Sequence, residues 1–184
     1  STNDELSDEA LLRACSGGDP KALGLLYDRF HPGVYRFLSR YLGGQREDLD
    51  DLVQSTFLTV LRSAASYQGR SSARTWVLGI ALNQARHHVR GSLRRRLSLL
   101  RVAEQPAPRT VGPEERAAEQ QQLERLQQAL GELPTDLRAA FILCDLEDIP
   151  GVEAAQILGV PAGTLWRRLH DARKRLRAAI GGAP

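Results

Sequence analysis

The apolar residues of this 184-residue chain recur at helical spacing almost from one end to the other, and no stretch alternates for long enough to make a useful strand. An all-α fold is therefore expected, since a half-buried strand needs a two-residue period. Leu11, Leu12, Leu23, Leu25, Leu26 and Phe30 mark two early helices divided by Gly17, Gly18, Asp19 and Pro20, with Pro32 predicting a further break or helix start. Leu49, Leu52, Val53, Phe57, Val60 and Leu61 follow the i, i+3, i+4 rule and describe one amphipathic helix from about Asp50. Glu47, Asp48, Asp50 and Asp51 sit at its start, where the helix dipole favours negative charge. Gly69 to Ser72 reads as a loop, and Ala73 to Arg90 as an apolar helix ending near Gly91.

The string EQPAPRTVGP, from Glu104 to Pro113, has three prolines and no apolar period, the composition of a semi-extended connector. The expected organisation is a first domain over 1–101, a flexible linker over 102–113 and a second domain over 114–184. In the second, helical pattern runs from Glu114 to Gly131, and Pro134 and Thr135 start a helix carrying Leu137, Phe141, Ile142 and Leu146. Val152 to Leu158 forms a short helix, Gly159 to Pro161 a turn, and about Ala162 to Ile180 a final helix.

No run approaches 18 apolar residues and the first nine residues are acidic, so neither a membrane span nor a secretory signal is expected, and the cytoplasm is the expected compartment. Cys15 and Cys144 lack any CxxC or Cys/His ligand spacing, which predicts two buried thiols and no disulfide framework, zinc site or cofactor.

Net charge is only +3, yet it is sorted into blocks. Residues 1–61 carry 6 basic and 10 acidic side chains, 62–101 carry 9 arginines and no acid, 102–166 carry 4 basic and 11 acidic, and 167–177 carry 6 basic and 1 acidic. Two cationic segments separated by an anionic one are the pattern of a protein that touches a polyanion at two places. Arginine supplies 23 of the 25 basic residues, and its planar fork suits phosphate and guanine edges.

The last two helices have a helix-turn-helix layout, with Gly159 in the turn and the small residues Ala162, Gly163 and Thr164 leading the second helix. Trp166, Arg167 and His170 are then placed to read base edges, while Arg173, Lys174, Arg175 and Arg177 would hold phosphates; the bland alternative is a hairpin with a solvated basic face. The Arg62 to Arg101 segment joins nine arginines to Tyr67 and Trp76, as single-strand binders do, though Trp76 among Val77, Leu78, Ile80 and Leu82 also reads as core. His87 and His88 are adjacent and lack the i, i+4 spacing of paired ligands, so they read as surface or phosphate contacts. The carboxylates near Asp50 suit solvated helix-start charge, or a docking face in which Asp51 and Gln54 meet a basic partner around an exposed anchor such as Phe57.

Together these stretches resemble the extracytoplasmic-function (ECF) sigma factors, two-domain initiation subunits of bacterial RNA polymerase. DLDDLVQSTFLTVLRSAASY is similar to the family's polymerase-binding motif at Asp50, Asp51, Leu52, Val53, Gln54 and Phe57. SARTWVLGIALNQARHHVR resembles its next block at Trp76, Asn83 and Arg90, and LPTDLRAAFILCDLED through AAQILGVPAGTLWRRLHDARKRL resembles its helix-turn-helix domain. The resemblance implies docking on the clamp helices of core RNA polymerase through Asp50, Asp51, Leu52, Gln54, Phe57 and Leu61. It implies capture of the non-template strand of the -10 element by Tyr67, Arg70, Arg74, Trp76, Asn83, Arg86, His87 and Arg90. Thr164, Trp166, Arg167, Arg168, His170, Arg173 and Lys174 would read the -35 element of promoter DNA as duplex, and an anti-sigma factor would mask these faces. Trp166, Arg167 and Asp171 depart from the family's usual residues, and Pro150 and Gly151 ahead of Glu153 are expected to loosen the first motif helix. A stand-alone helix-turn-helix regulator is the alternative; a nucleic-acid-processing enzyme finds no nucleophile, base or ligand set.

Overall fold

The computed structural model of the chain describes residues 6–43, 48–99 and 117–180, and among them there is no strand. The connector expected over 102–113, and Glu47 at the start of the acidic helix, lie outside the described residues. Helix α1 (Asp8–Ser16) starts where Ser7 Oγ accepts from the Ala10 amide, and α2 (Pro20–Tyr41) starts where Asp19 Oδ1 accepts from the Lys21 amide at 2.8 Å. Contrary to expectation, Pro32 does not break α2. Its ring and the Asp28 residue whose carbonyl it leaves unbonded both face solvent, while Leu26, Phe30, Val34 and Phe37 anchor the helix on either side.

Helix α3 (Leu49–Ser63) buries Leu49, Leu52, Val53, Thr56, Phe57 and Val60 against α2, and a short 3-10 turn (Ala64–Ser66) follows it. Helix α4 (Ala73–Leu99) opens with the Thr75 amide bonded to Ser72 Oγ and buries Ala73, Val77, Leu78, Ala81, Leu82 and Ala85. It runs through Gly91 rather than ending there; one mid-helix glycine costs only about 1 kcal/mol, too little to stop a helix with no proline or left-handed residue after it. Gln84 ties α4 to α3 by accepting from Ser55 and donating to Thr59.

The second half holds α5 (Ala117–Glu132), α6 (Thr135–Phe141) prolonged by a π turn (Ile142–Leu146), α7 (Gly151–Leu158) and α8 (Ala162–Ile180). Gly159 ends α7 at φ 66°, and the Val160 amide returns to the Ala155 carbonyl, so the turn between α7 and α8 needs the left-handed residue the sequence put there. Leu165, Leu169, Ala172 and Leu176 seat α8 on α6 and α5.

The halves are packed on each other. One buried cluster runs from α1 to α4 into Ala139, Ala140, Ile142, Leu143, Ala154 and Leu158. Arg138, 8 % exposed, reaches across to donate to the Tyr41 carbonyl at 2.6 Å and also bonds the Gly131 and Leu133 carbonyls. Beside it Gly43, at φ 64°, lies so close to Gly131 that a Cβ would stand 2.9 Å from the Gly131 Cα.

Candidate protein and nucleic-acid interfaces

On α3 the outward side chains are Asp50, Asp51, Gln54, Leu58 and Arg62; Asp51, Gln54, Leu58 and Arg62 recur every three or four residues and so align in one stripe, with Asp50 at its edge. Phe57 is not its anchor: it is 4 % exposed and its ring lies 4.7 Å from that of Tyr27, because its position faces α2. Leu52 is likewise buried, at 6 %, and Leu61 half-buried against the core. The exposed apolar residue is Leu58, 44 % accessible, which helical spacing from Asp51 and Gln54 could have identified. Phe57 and Leu52 thus stiffen the face from beneath.

Beyond the 3-10 turn, Tyr67 donates to the Ser71 carbonyl at 2.7 Å and packs against Trp76 with ring centroids 5.4 Å apart. Burial, helped by Glu9 and Asp8, pushes the Tyr67 phenol above its ordinary value, so it stays a protonated donor that closes the loop. Trp76 is half-buried on the core with its indole at the loop, and Arg70 is exposed. Asn83, His87 and Arg90 continue along one exposed side of α4. Arg74 and Arg86 do not stand free. Arg74 pairs with Glu147 and also donates to its carbonyl at 3.0 Å, while Arg86 lies 4.0 Å from Asp136. His88 sits 3.2 Å from Asp48, pinning α4 to the start of α3.

On α8 the leading residues Trp166, Arg167 and His170 are exposed, Thr164 is half-buried, and Lys174 and Arg175 point outward. Arg168 is held by Asp136 at 2.8 Å, and Arg173 is gripped by both Asp145 oxygens at 2.7 and 2.6 Å. The expectation that Pro150 and Gly151 loosen α7 is overturned. A Cβ at Gly151 would stand 2.6 Å from the Trp166 ring, so the glycine and the tryptophan fit together, and Ala154 and Ala155 remain buried. The two departures from the family pattern are one feature. Cys15 is buried as expected, but Cys144 is only partly so; burial raises both thiols above their ordinary value. Among the described residues there is no cluster of three potential metal ligands, and no helix is long and apolar enough to cross a membrane.

Sequence reasoning missed Leu58, Tyr27, Asp136 and Glu147, and it misread Gly151. For the two carboxylates no local signal existed, since their partners lie far away in sequence.

Two family models match: Sigma-70 region 2 over residues 26–96 and Sigma-70 region 4 over 123–176. The chain is 32 % identical to an ECF RNA polymerase sigma-E factor of Haemophilus influenzae, covering 96 % of this chain and 97 % of that one. It is 31 % identical to the ECF RNA polymerase sigma factor SigM of Mycobacterium tuberculosis, covering 96 % and 86 %. In fold it resembles the sigma factor RpoE of Bartonella quintana, solved with the anti-sigma factor NepR, at a TM-score of 0.71, 23 % identity and coverage of 89 % and 99 %. CnrH, solved with the cytosolic domain of CnrY, gives a TM-score of 0.69 at 24 % identity, covering 96 % and 99 %. The stand-alone regulator is accordingly not favoured: both halves match, in order and nearly end to end, and the chain belongs to the ECF family of sigma-70 RNA polymerase sigma factors.

Proposed function

We infer that the protein docks on the clamp helices of core RNA polymerase through the outer stripe of α3, with Asp50, Asp51 and Gln54 as polar contacts, Leu58 as apolar anchor, Leu61 at its edge, and Leu52 and Phe57 supporting it. Residues 1–101 then act as the core-binding and -10 domain, 102–113 as the linker, and 114–184 as the -35 domain. Tyr67, Arg70, Arg74 and Trp76 surround the site for an unstacked base, while Asn83, Arg86, His87 and Arg90 follow the non-template strand. Thr164, Trp166, Arg167 and His170 face duplex edges; Arg168, Arg173 and Lys174 face phosphates. Separating one duplex step costs on average about 1.4 kcal/mol, and stacking returns ~1–3 kcal/mol per captured base. Two aromatics cannot open a promoter bubble alone, so the factor melts DNA only as part of the polymerase. It makes and breaks no bond itself, works in the cytoplasm, and is controlled by an anti-sigma factor, as the solved structures of RpoE and CnrH with their partners suggest by analogy.

The exposed stripe of α3 carries this reading, since it sets an apolar side chain amid carboxylates on a rigid, core-backed helix. Size-exclusion chromatography with core polymerase and run-off transcription test it. Asp51→Lys is expected to abolish co-elution and transcript, and Leu58→Ala to weaken capture by roughly tenfold, the scale of a buried methyl-rich side chain. Wild-type protein that neither co-elutes nor supports a transcript refutes the reading.

A further inference from the structure

The helix-turn-helix leaves apolar surface uncovered at the leading ends of both its helices. Among the described residues the two most exposed large apolar side chains are Val152, 68 % accessible, at the second position of α7, and Trp166, 54 % accessible, at the fifth position of α8. Large apolar side chains left bare together and rimmed by polar ones mark an interaction surface, whereas scattered single ones are ordinary. Their exposed neighbours along the first half of α8 are basic or small: Arg167 and His170, then Ala162 and Gly163. The indole is also held in place. A Cβ on Gly151 would stand 2.6 Å from Cζ2, 2.7 Å from Cη2 and 3.5 Å from Cε2, so the α7 backbone approaches the ring as only a glycine allows. A helical side chain leans back over the turn before it. For Trp166 that turn holds Ala162 and Gly163, and a Cβ on Gly163 would meet nothing within 4 Å. Small residues therefore leave the ring open to a groove laid across the start of α8.

We propose that Trp166 is a thymine-reading residue: its ring, braced on Gly151, makes apolar contact with the C5-methyl group of a thymine in the major groove of the -35 element. The proposal rests on the promoter-binding reading above and names what this position recognises. Base edges in the major groove present hydrogen-bond donors and acceptors, and the thymine methyl is the apolar group among them. An indole has one N–H donor and no acceptor, so it cannot make the bidentate pairs that arginine makes with guanine or asparagine with adenine. The three carbons nearest Gly151 lie on the side of the indole that carries the N–H, so the brace keeps that side towards α7 and offers hydrocarbon to the groove. A cytosine in the same place lacks the methyl and leaves the ring without its contact. Bracing adds to the selectivity, because a side chain already fixed gives up little rotamer freedom on binding.

The test uses holoenzyme and the duplex of a promoter that it transcribes. Each thymine of the -35 element is replaced in turn by uracil, which keeps the pairing and every donor and acceptor and deletes only the methyl. Wild type is expected to lose about fourfold in affinity at one thymine, the worth of one buried methyl group, and Trp166→Ala to bind thymine and uracil alike at that position. Exchanging the same thymine for cytosine weakens wild type, and methylating that cytosine at C5 should recover affinity for wild type and not for Trp166→Ala. The uracil scan on wild type needs no variant, so a misfolded Trp166→Ala cannot hide the result. Equal affinity of wild type for every uracil duplex and its thymine parent overturns the proposal, as does a thymine preference that survives in Trp166→Ala. An even loss of affinity in Trp166→Ala with base preference unchanged assigns the indole to the DNA backbone and overturns it too. If wild type with core polymerase neither binds nor transcribes any promoter, the promoter-binding reading fails instead.

Discussion

Helices α4 and α8 both carry basic residues that we assign to DNA, and the fold treats them differently. On α4 the carboxylates that hold Arg74 and Arg86 come from the opposite half of the molecule. On α8 they come from the same half: Asp136 and Asp145 of α6 and its π turn hold Arg168 and Arg173, and Trp166, Arg167 and His170 stand exposed. A carboxylate within one domain sets the direction of a side chain and stays with it when the domain moves. A carboxylate across the boundary ties one half to the other, so the same ion-pair chemistry orients on α8 and fastens on α4.

The largest expected effect lies at that boundary. Arg74 is substantially exposed whereas Glu147 is almost fully buried, so removing either partner has unequal consequences. Arg74→Ala leaves the buried carboxylate with Arg40 alone and should lower stability by about 3 kcal/mol, the lower end for a broken buried pair. Glu147→Gln releases two arginines that water can solvate and should cost clearly less. Urea midpoints on the two variants measure the asymmetry; equal losses would mean the contact is ordinary packing and the contrast between the helices disappears.

Next comes the brace on α8. Gly151→Ala forces its new methyl into the Trp166 ring and is expected to destabilise the second half by ~1–3 kcal/mol, the usual cost of overpacking. In a Trp166→Ala background the same change should be nearly neutral. A double-mutant cycle in thermal unfolding, together with -35 selection, reads the coupling; additive effects would show that the ring is free to swing away.

These two features also mark the limit of what the sequence discloses. The helices, the left-handed turn at Gly159 and the exposed leading residues of α8 follow from local period, charge and turn chemistry, and the family resemblance supplied their roles. Pro32 misled because burial on either side of it outweighs a local breaker, and Gly91 because one mid-helix glycine costs too little to end a helix. Phe57 misled because the spacing that defines a stripe leaves open which side of it faces the core; only the packing of Tyr27 decides. Glu147 is separated from Arg74 by 73 residues, and nothing in either neighbourhood announces the other.

Arg167 and Arg168 are neighbours with different surroundings, and they refine the contrast further. Arg167 is exposed and its fork pairs with none of the described residues, so Arg167→Ala is expected to relax one position of the -35 element by about 1–3 kcal/mol if it grips a guanine. Arg168 must first leave Asp136 to reach a phosphate, so Arg168→Ala should weaken binding evenly across sequences and by less. Base-by-base selection with holoenzyme distinguishes them; identical preference profiles for Arg167→Ala and wild type would remove Arg167 from readout.

The smallest effect is at Arg173, whose fork Asp145 occupies from within the same half, with the aspartate also raising the guanidinium above its ordinary value. Because Arg173 is exposed and Asp145 only partly buried, the strength of the pair is modest and salt weakens it. Asp145→Asn should therefore leave folding nearly unchanged while freeing one cation for the duplex. Each additional phosphate contact steepens the dependence of log affinity on log salt by about 0.9. A titration of holoenzyme binding to a -35 duplex between low and moderate salt should show a slope steeper by about that amount in the variant. An unchanged slope would mean that Asp145 already releases Arg173 when DNA arrives. The pair would then yield to phosphate too readily to set the direction of Arg173, erasing the distinction between orienting and fastening contacts.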